Sequence, residues 1–207
     1  MTDALPALAD WRVRVAVLYL APPIEGEEGW EEFRRGRDSL FREHPQAPLT
    51  EEQRAAFRGL PYFRYRAEAV VSCRLEPPED EGPLEIDTGG EDGVVRCRRV
   101  GRLNTSYGAL TLFWIEGYGG GLFLPFRDAT AGAESYGGGR YLTDTAKGTF
   151  GRGVTLAANG GDATLDFNYS YNPSCAYNSR WACPLAPPEN RVSERIVAGE
   201  RAFPTPV

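Results

Sequence analysis

Apolar and polar residues alternate through the middle of the chain. From Phe63 to Leu75, the residues Phe63, Tyr65, Ala67, Ala69, Val71, Cys73 and Leu75 fall on one side. Arg64, Arg66, Glu68, Ser72 and Arg74 fall on the other, with Val70 the exception. A period of two marks a strand with one buried face. The acidic, Pro-containing loop "EPPEDEGP" interrupts the pattern, and short strands are predicted at Leu84–Asp87 and Val94–Leu103. "GALTLFWIEG" is apolar on both faces and reads as a central strand, with "LFLPF" pairing beside it after a glycine turn.

The N-terminal part is different. Trp11, Val13, Val15 and Val17 alternate with Arg12, Arg14 and Ala16, which predicts a strand over Trp11–Leu20. "APPIEGEEG" is a breaker. Trp30, Phe33, Arg37, Leu40 and Phe41 then sit at helical spacing, and Pro45 and Pro48 end that helix. Thr50 with Gln53 three residues on forms a capping box for a second helix, which Gly59 stops. The expected fold is mainly β, of the α+β class: an antiparallel barrel or sandwich with two N-terminal helices and a long irregular C-terminal loop. Residues 1–60 form a strand and helical segment packed on a β domain of residues 61–207, in a single structural unit.

A chain of 207 residues, 42% apolar and 25% charged, can bury a full core without staples. Its net charge of −6 offers no concentrated positive surface, so neither nucleic acid nor an anionic membrane is an expected partner. A homo-oligomer is left open. Lys147 is the only lysine, and no GxxxxGK[ST] phosphate loop is present. His44 is the only histidine, which removes multi-histidine metal sites. It follows "FRE" and precedes Pro45, the place of a residue ending a helix. No cofactor is expected. "WRVRVAVLYLAPP" is too short and too charged for a membrane span or a secretory leader, so the expected setting is a reducing cytoplasm with free thiols.

"EGYGGGLF" at Glu116 echoes "ESYGGGRY" at Glu134, and both read as glycine-rich turns. Two longer blocks stand out: "LFLPFRDATAGAESYGGGRYL" (Leu122–Leu142) and "LDFNYSYNPSCAYNSRWACPLAPPENR" (Leu165–Arg191). Together they resemble the signature of an uncharacterised bacterial and archaeal family, the domain of unknown function numbered sixteen-eighty-four. "RRGRDSLFREHPQAPLTEEQRAAFRGLPYFRYR" is similar to it more loosely, so the resemblance covers most of Trp30 to Arg201. It implies no established activity. Cys175 and Cys183 match the family pattern, whereas Cys73 and Cys97 do not.

The spacing C-x7-C is poor for zinc, and Cys73 and Cys97 fall on apolar strand faces, so a four-cysteine metal site is disfavoured. A Cys175–Cys183 disulfide ranks above zinc, and two free buried thiols rank above both. A Cys175 nucleophile has no neighbouring histidine and would need Arg127, Arg140 or a helix N-terminus. Alternation places Leu165 and Phe167 on one face and Asp166 and Asn168 on the other, toward solvent or a pocket. Two readings follow. In the first, a small anionic molecule binds between the YGGGR and NPSCAYN loops. Arg127 and Arg140 hold its charge, and Tyr136, Asn168, Asn172 and Tyr177 supply hydrogen bonds. Asp166 or Glu189 then serves as acid or base if chemistry occurs. In the second, Arg127, Asp128, Glu134 and Arg140 form an ion-pair network locking the loops, and the protein is a structural or interaction module. In either reading, the irregular segment after Phe167 must be pinned against the YGGGR loop to satisfy its backbone.

Overall fold

The alternating segments fold into strands β1 (Val70–Glu76), β2 (Pro83–Asp87), β3 (Val94–Thr105), β4 (Gly108–Ile115), β5 (Gly121–Phe126), β6 (Arg140–Asp144), β7 (Val154–Leu156) and β8 (Asp162–Asp166). The structure, a computed structural model, describes residues 4–20, 25–91, 93–158 and 160–204. The strands run in the order β6-β5-β4-β3-β1-β8-β7, with β2 added on β3, and every pairing is antiparallel. β1 carries the sheet round its corner: Val70–Arg74 pair with β8, while Leu75 and Glu76 pair with β3. The two end strands then meet. A Cβ on Gly153, just before β7, would lie 2.3 Å from the carbonyl of Leu142 in β6. The result is a nearly closed barrel, which leaves few free edges.

Its inside is filled by Ala69, Leu103, Leu110, Leu112, Leu124, Phe126, Leu142, Leu165 and Phe167. Its outside is also covered on one flank. Cys97, Phe113, Phe123 and Tyr141 point outward and pack against Val15, Tyr19, Trp30 and Phe33. That second layer is why β4 is apolar on both faces.

The covering layer is helical. Helix α2 (Gly26–Glu43) buries Trp30, Phe33, Arg37 and Phe41 along one stripe, as its spacing requires, and His44 is its C-cap. Helix α3 (Glu51–Ala55) opens with the Thr50–Gln53 capping box and stops short of Gly59, at Ala56. The strand expected over Trp11–Leu20 is instead the second half of helix α1 (Ala4–Leu20). The same residues carry two periods. Trp11, Val15 and Tyr19 are four apart and face the core, while Val13 and Val17 remain exposed. Segment 63–69 also departs from the expected strand. Ala67–Ala69 form a 3₁₀ turn, and Phe63 N–H bonds to Gly199 O at 2.9 Å, so this part pairs with the C-terminal segment and not with the barrel.

The chain after β8 is a strap of isolated bridges. Tyr171 pairs with Tyr141, Arg191 with Arg127 and Glu200 with Tyr62. Asn190 is the deepest anchor. Its side chain accepts from Thr111 N at 2.7 Å and donates to Thr111 O at 2.9 Å and Pro125 O at 2.7 Å. It acts as a one-residue strand partner where the β5–β6 register slips between Leu124 and Pro125. Gly199 lies in the left-handed region at φ +77°, and a Cβ there would sit 2.2 Å from Ser170 Oγ.

Candidate functional site

The glycine turn before β6 delivers Arg140 into the interior. Gly139 has φ +92° and approaches Phe126 O too closely for any side chain, its Cβ position being 2.4 Å away. Arg140 is 1% exposed. Its Nη2 donates to Asp128 Oδ1 at 3.1 Å and Ile196 O at 2.9 Å, and its Nη1 donates to Glu200 O at 3.2 Å and to Ala198 O. The guanidinium is a tie between the FRDAT turn and the strap.

The other expected site residues divide in the same way. Asn168 donates to Arg66 O at 2.9 Å and Asp166 Oδ1 at 2.8 Å, and accepts from Arg66 N at 3.0 Å. Trp30 Nε1 holds its backbone carbonyl at 3.0 Å. Asp166 is therefore the cap of a turn, and burial raises its pKa. Glu189 forms a two-pronged pair with Arg99 at 2.8 and 3.0 Å. Arg127 bridges Asn190 and Val192 through its backbone. Tyr136 donates to Cys175 Sγ at 3.6 Å. The strap is indeed pinned to the YGGGR loop, since Leu185 packs on Gly138 and Ala202 N bonds to Glu134 O at 3.0 Å.

Asn172 and Tyr177 come together around a carboxylate that sequence reasoning missed. Glu200 is fully buried and accepts from Arg37 Nη2 at 2.9 Å, from Asn172 N at 3.1 Å and from Tyr177 Oη. Arg37 Nη2 also donates to Tyr177 Oη at 3.3 Å. The one available signal was Arg37 itself, a charge standing in the apolar stripe of α2.

Above this network lies a cavity of about 80 Å³ between the helices and the strap. Its walls are Trp11, Phe41, Tyr141 and Tyr171, and its polar lining is Arg37, Asp144, Lys147, Thr149, Asn172 and Tyr177. Asp144 and Asn172 are 2% and 3% exposed, yet Asp144 Oδ1, Asn172 Oδ1 and Arg37 Nε have no hydrogen-bond partner. Buried polar atoms without partners are uncommon, and those of Asp144, Asn172 and Arg37 belong to residues lining one cavity. Thr149 Oγ1 accepts from Asp144 N at 2.5 Å and lies 3.1 Å from Tyr171 Oη, so the hydroxyls here are fixed. Lys147 is exposed on the rim.

Desolvation raises the pKa of Asp144, against the opposing pull of Lys147, nearby backbone N–H groups and Arg12. A carboxyl whose folded pKa is raised stabilises the fold most when protonated, and that contribution is lost as pH rises through the folded value. Stability of Asp144→Asn should therefore depend less steeply on pH than wild type just above the usual aspartate range. Denaturant midpoints across that interval measure it. Parallel curves would show that Asp144 keeps an ordinary pKa.

Among the described residues no helix is long and apolar enough to cross a membrane, and no group of three or more His, Cys, Asp or Glu residues could hold a metal. The family model described as "Protein of unknown function (DUF1684)" matches residues 55–201. A solution NMR structure of an uncharacterized protein from Haloarcula marismortui is similar, with 33% identity and a TM-score of 0.58 over 84% of this chain and 93% of that one. No curated protein matches the chain.

Proposed function

This chain belongs to the DUF1684 family of proteins of unknown function, and on that premise we propose that it binds a small polar molecule in the cavity beneath the NPSCAYN loop. The observation that carries this reading is the pair of buried acceptor oxygens, Asp144 Oδ1 and Asn172 Oδ1, left without partners on the wall of one cavity. Two acceptors ask for N–H or O–H donors on the ligand. Lys147 on the rim and Arg37 below offer positive charge, so an anionic group completes the match. The class is a small hydroxy or amino acid, or that portion of a larger ligand. About 80 Å³ admits only a compact group, a few times the roughly 30 Å³ share of one water. Asp144, with its raised pKa, is the group placed to exchange a proton with such a ligand. A reducing cytoplasm is the setting this reading assumes, all four cysteines being unbridged.

A second reading, a structural or interaction module, draws on the protein partners that take up Nη1 and Nη2 of Arg140 and the side-chain amide of Asn168. A thermal-shift screen of small hydroxy and amino acids separates the two. Under the binding reading, a compound at 100 times its dissociation constant stabilises by about 2.7 kcal/mol. That corresponds to roughly 5–10 °C for a chain of this size. The shift should disappear in Asn172→Ala and Lys147→Ala. No shift with any compound, or shifts equal in both variants and wild type, would support the module.

A further inference from the structure

Helix α1 is apolar on two opposite faces. Asp10, Arg12 and Arg14 are its only charged residues between Ala4 and Leu20. Trp11, Val15, Leu18 and Tyr19 pack against the rest of the fold. Leu5, Ala9, Val13, Val17 and Leu20 follow one another at helical steps of four or three, which sets them along a second face. Among the described residues nothing covers that face: Leu5 is 73% exposed, Val13 60%, Val17 63% and Leu20 61%. A surface helix ordinarily turns a polar side to water, and a helix apolar all round is ordinarily buried.

An open groove of about 580 Å³ runs beside the stripe, between α1 and α2. Val13, Val17 and Leu18 line it from α1, and Gly36 and Leu40 line it from α2. The helices touch at Gly36, where a Cβ would lie 2.6 Å from Leu18 Cδ1.

The stripe itself says what fits it. Turned end for end, it reads nearly the same. Leu5 then meets Leu20 of a second copy, Ala9 meets Val17, and Val13 in the middle meets its own counterpart. A two-fold interface requires this self-complementarity. The charges obey the same turn. Asp10 and Arg14 flank the stripe with their side chains exposed, and reversal brings Asp10 of each copy to Arg14 of the other. A lipid surface fits less well. Helix α2, across the groove, exposes Glu27, Glu28, Glu31, Glu32 and Glu43 against Arg35 and Arg42, an acidic excess that anionic headgroups repel.

We propose that α1 pairs antiparallel with α1 of a second copy, in a two-fold homodimer centred on Val13. The two stripes bury one another, and the groove between α1 and α2 takes up the edge of the incoming helix.

Sedimentation velocity on the full chain, run as a concentration series, should show a reversible dimer of 22.8 kDa protomers. Val13→Glu combined with Val17→Glu should raise the dimer dissociation constant at least about tenfold, because both copies then bury unpaired charge. Both positions are exposed, so the dilute variant should keep the helical circular-dichroism signal of dilute wild type. Cysteine cross-linking reads the register. Val13→Cys should form an intermolecular disulfide at that position under mild oxidation, with the joined peptides identified by mass spectrometry. Leu20→Cys should not, since at 1.5 Å per residue it lies about 20 Å from its counterpart in this arrangement. A monomer at every concentration, a dimer untouched by the two glutamates, or cross-linking through Leu20→Cys and not Val13→Cys would overturn the proposal. So would a monomer that binds phosphatidylserine vesicles and loses that binding in the double glutamate variant, which would make the stripe a membrane contact.

Discussion

Arg140→Ala will lower the melting temperature by roughly 10 °C. The guanidinium is buried with its counter-ion Asp128 and tied to three strap carbonyls. Removing one partner of a buried ion pair typically costs about 3–5 kcal/mol, because the other charge stays desolvated and unpaired. At about 2–4 °C per kcal/mol for a chain of this size, the shift is roughly 6–20 °C. Arg140→Lys should recover little, since one ammonium cannot reach Asp128 and the carbonyls of Ile196, Ala198 and Glu200 together. Differential scanning calorimetry measures this directly. A loss under about 2 °C would mean that the strap is not held through Arg140 in solution.

The second large effect is expected at Glu200. Glu200→Gln preserves the side-chain shape but leaves Arg37, itself buried, without its counter-charge. A loss of about 3–5 kcal/mol should follow. The amide also presents an N–H donor toward groups that already donate to the carboxylate, Tyr177 Oη, Asn172 N and Arg37 Nη2. Two of these residues carry ligand-facing atoms in the proposed site, so residual folded protein should bind weakly. Arg37→Met combined with Glu200→Gln should be less destabilised than the sum of the two single changes, since no charge is then stranded. Strict additivity in urea titrations would argue that the two side chains do not interact.

Local pattern explains how much of this was legible in advance. Strands β2 to β5, the later part of the expected 63–75 strand, the α2 stripe and the Thr50 capping box each depend on neighbours within a few positions, and each appears where expected. Helix α1 shows the limit of pattern. Trp11 begins both a two-residue and a four-residue period, and the outer barrel face selects the second by accepting Val15 and Tyr19. The same limit applies to the site. Arg140 looked like an anion holder because arginine beside glycines and polar residues suits one. Its actual partners include carbonyls 56 to 60 positions away. Asp144 and Glu200 carried no local mark at all.

The sequence by itself determined helix α2, strands β2 to β5 with their inward faces, and the family to which the chain belongs. Only the tertiary structure decided which polar groups are spent on one another and which are left over. Arg37 and Glu200 are 163 positions apart. Whether a buried charge meets its partner depends on closure of the barrel and the path of the strap, and no short-range period encodes either. The unpartnered oxygens of Asp144 and Asn172 come together only when the folded chain sets both on the wall of one cavity.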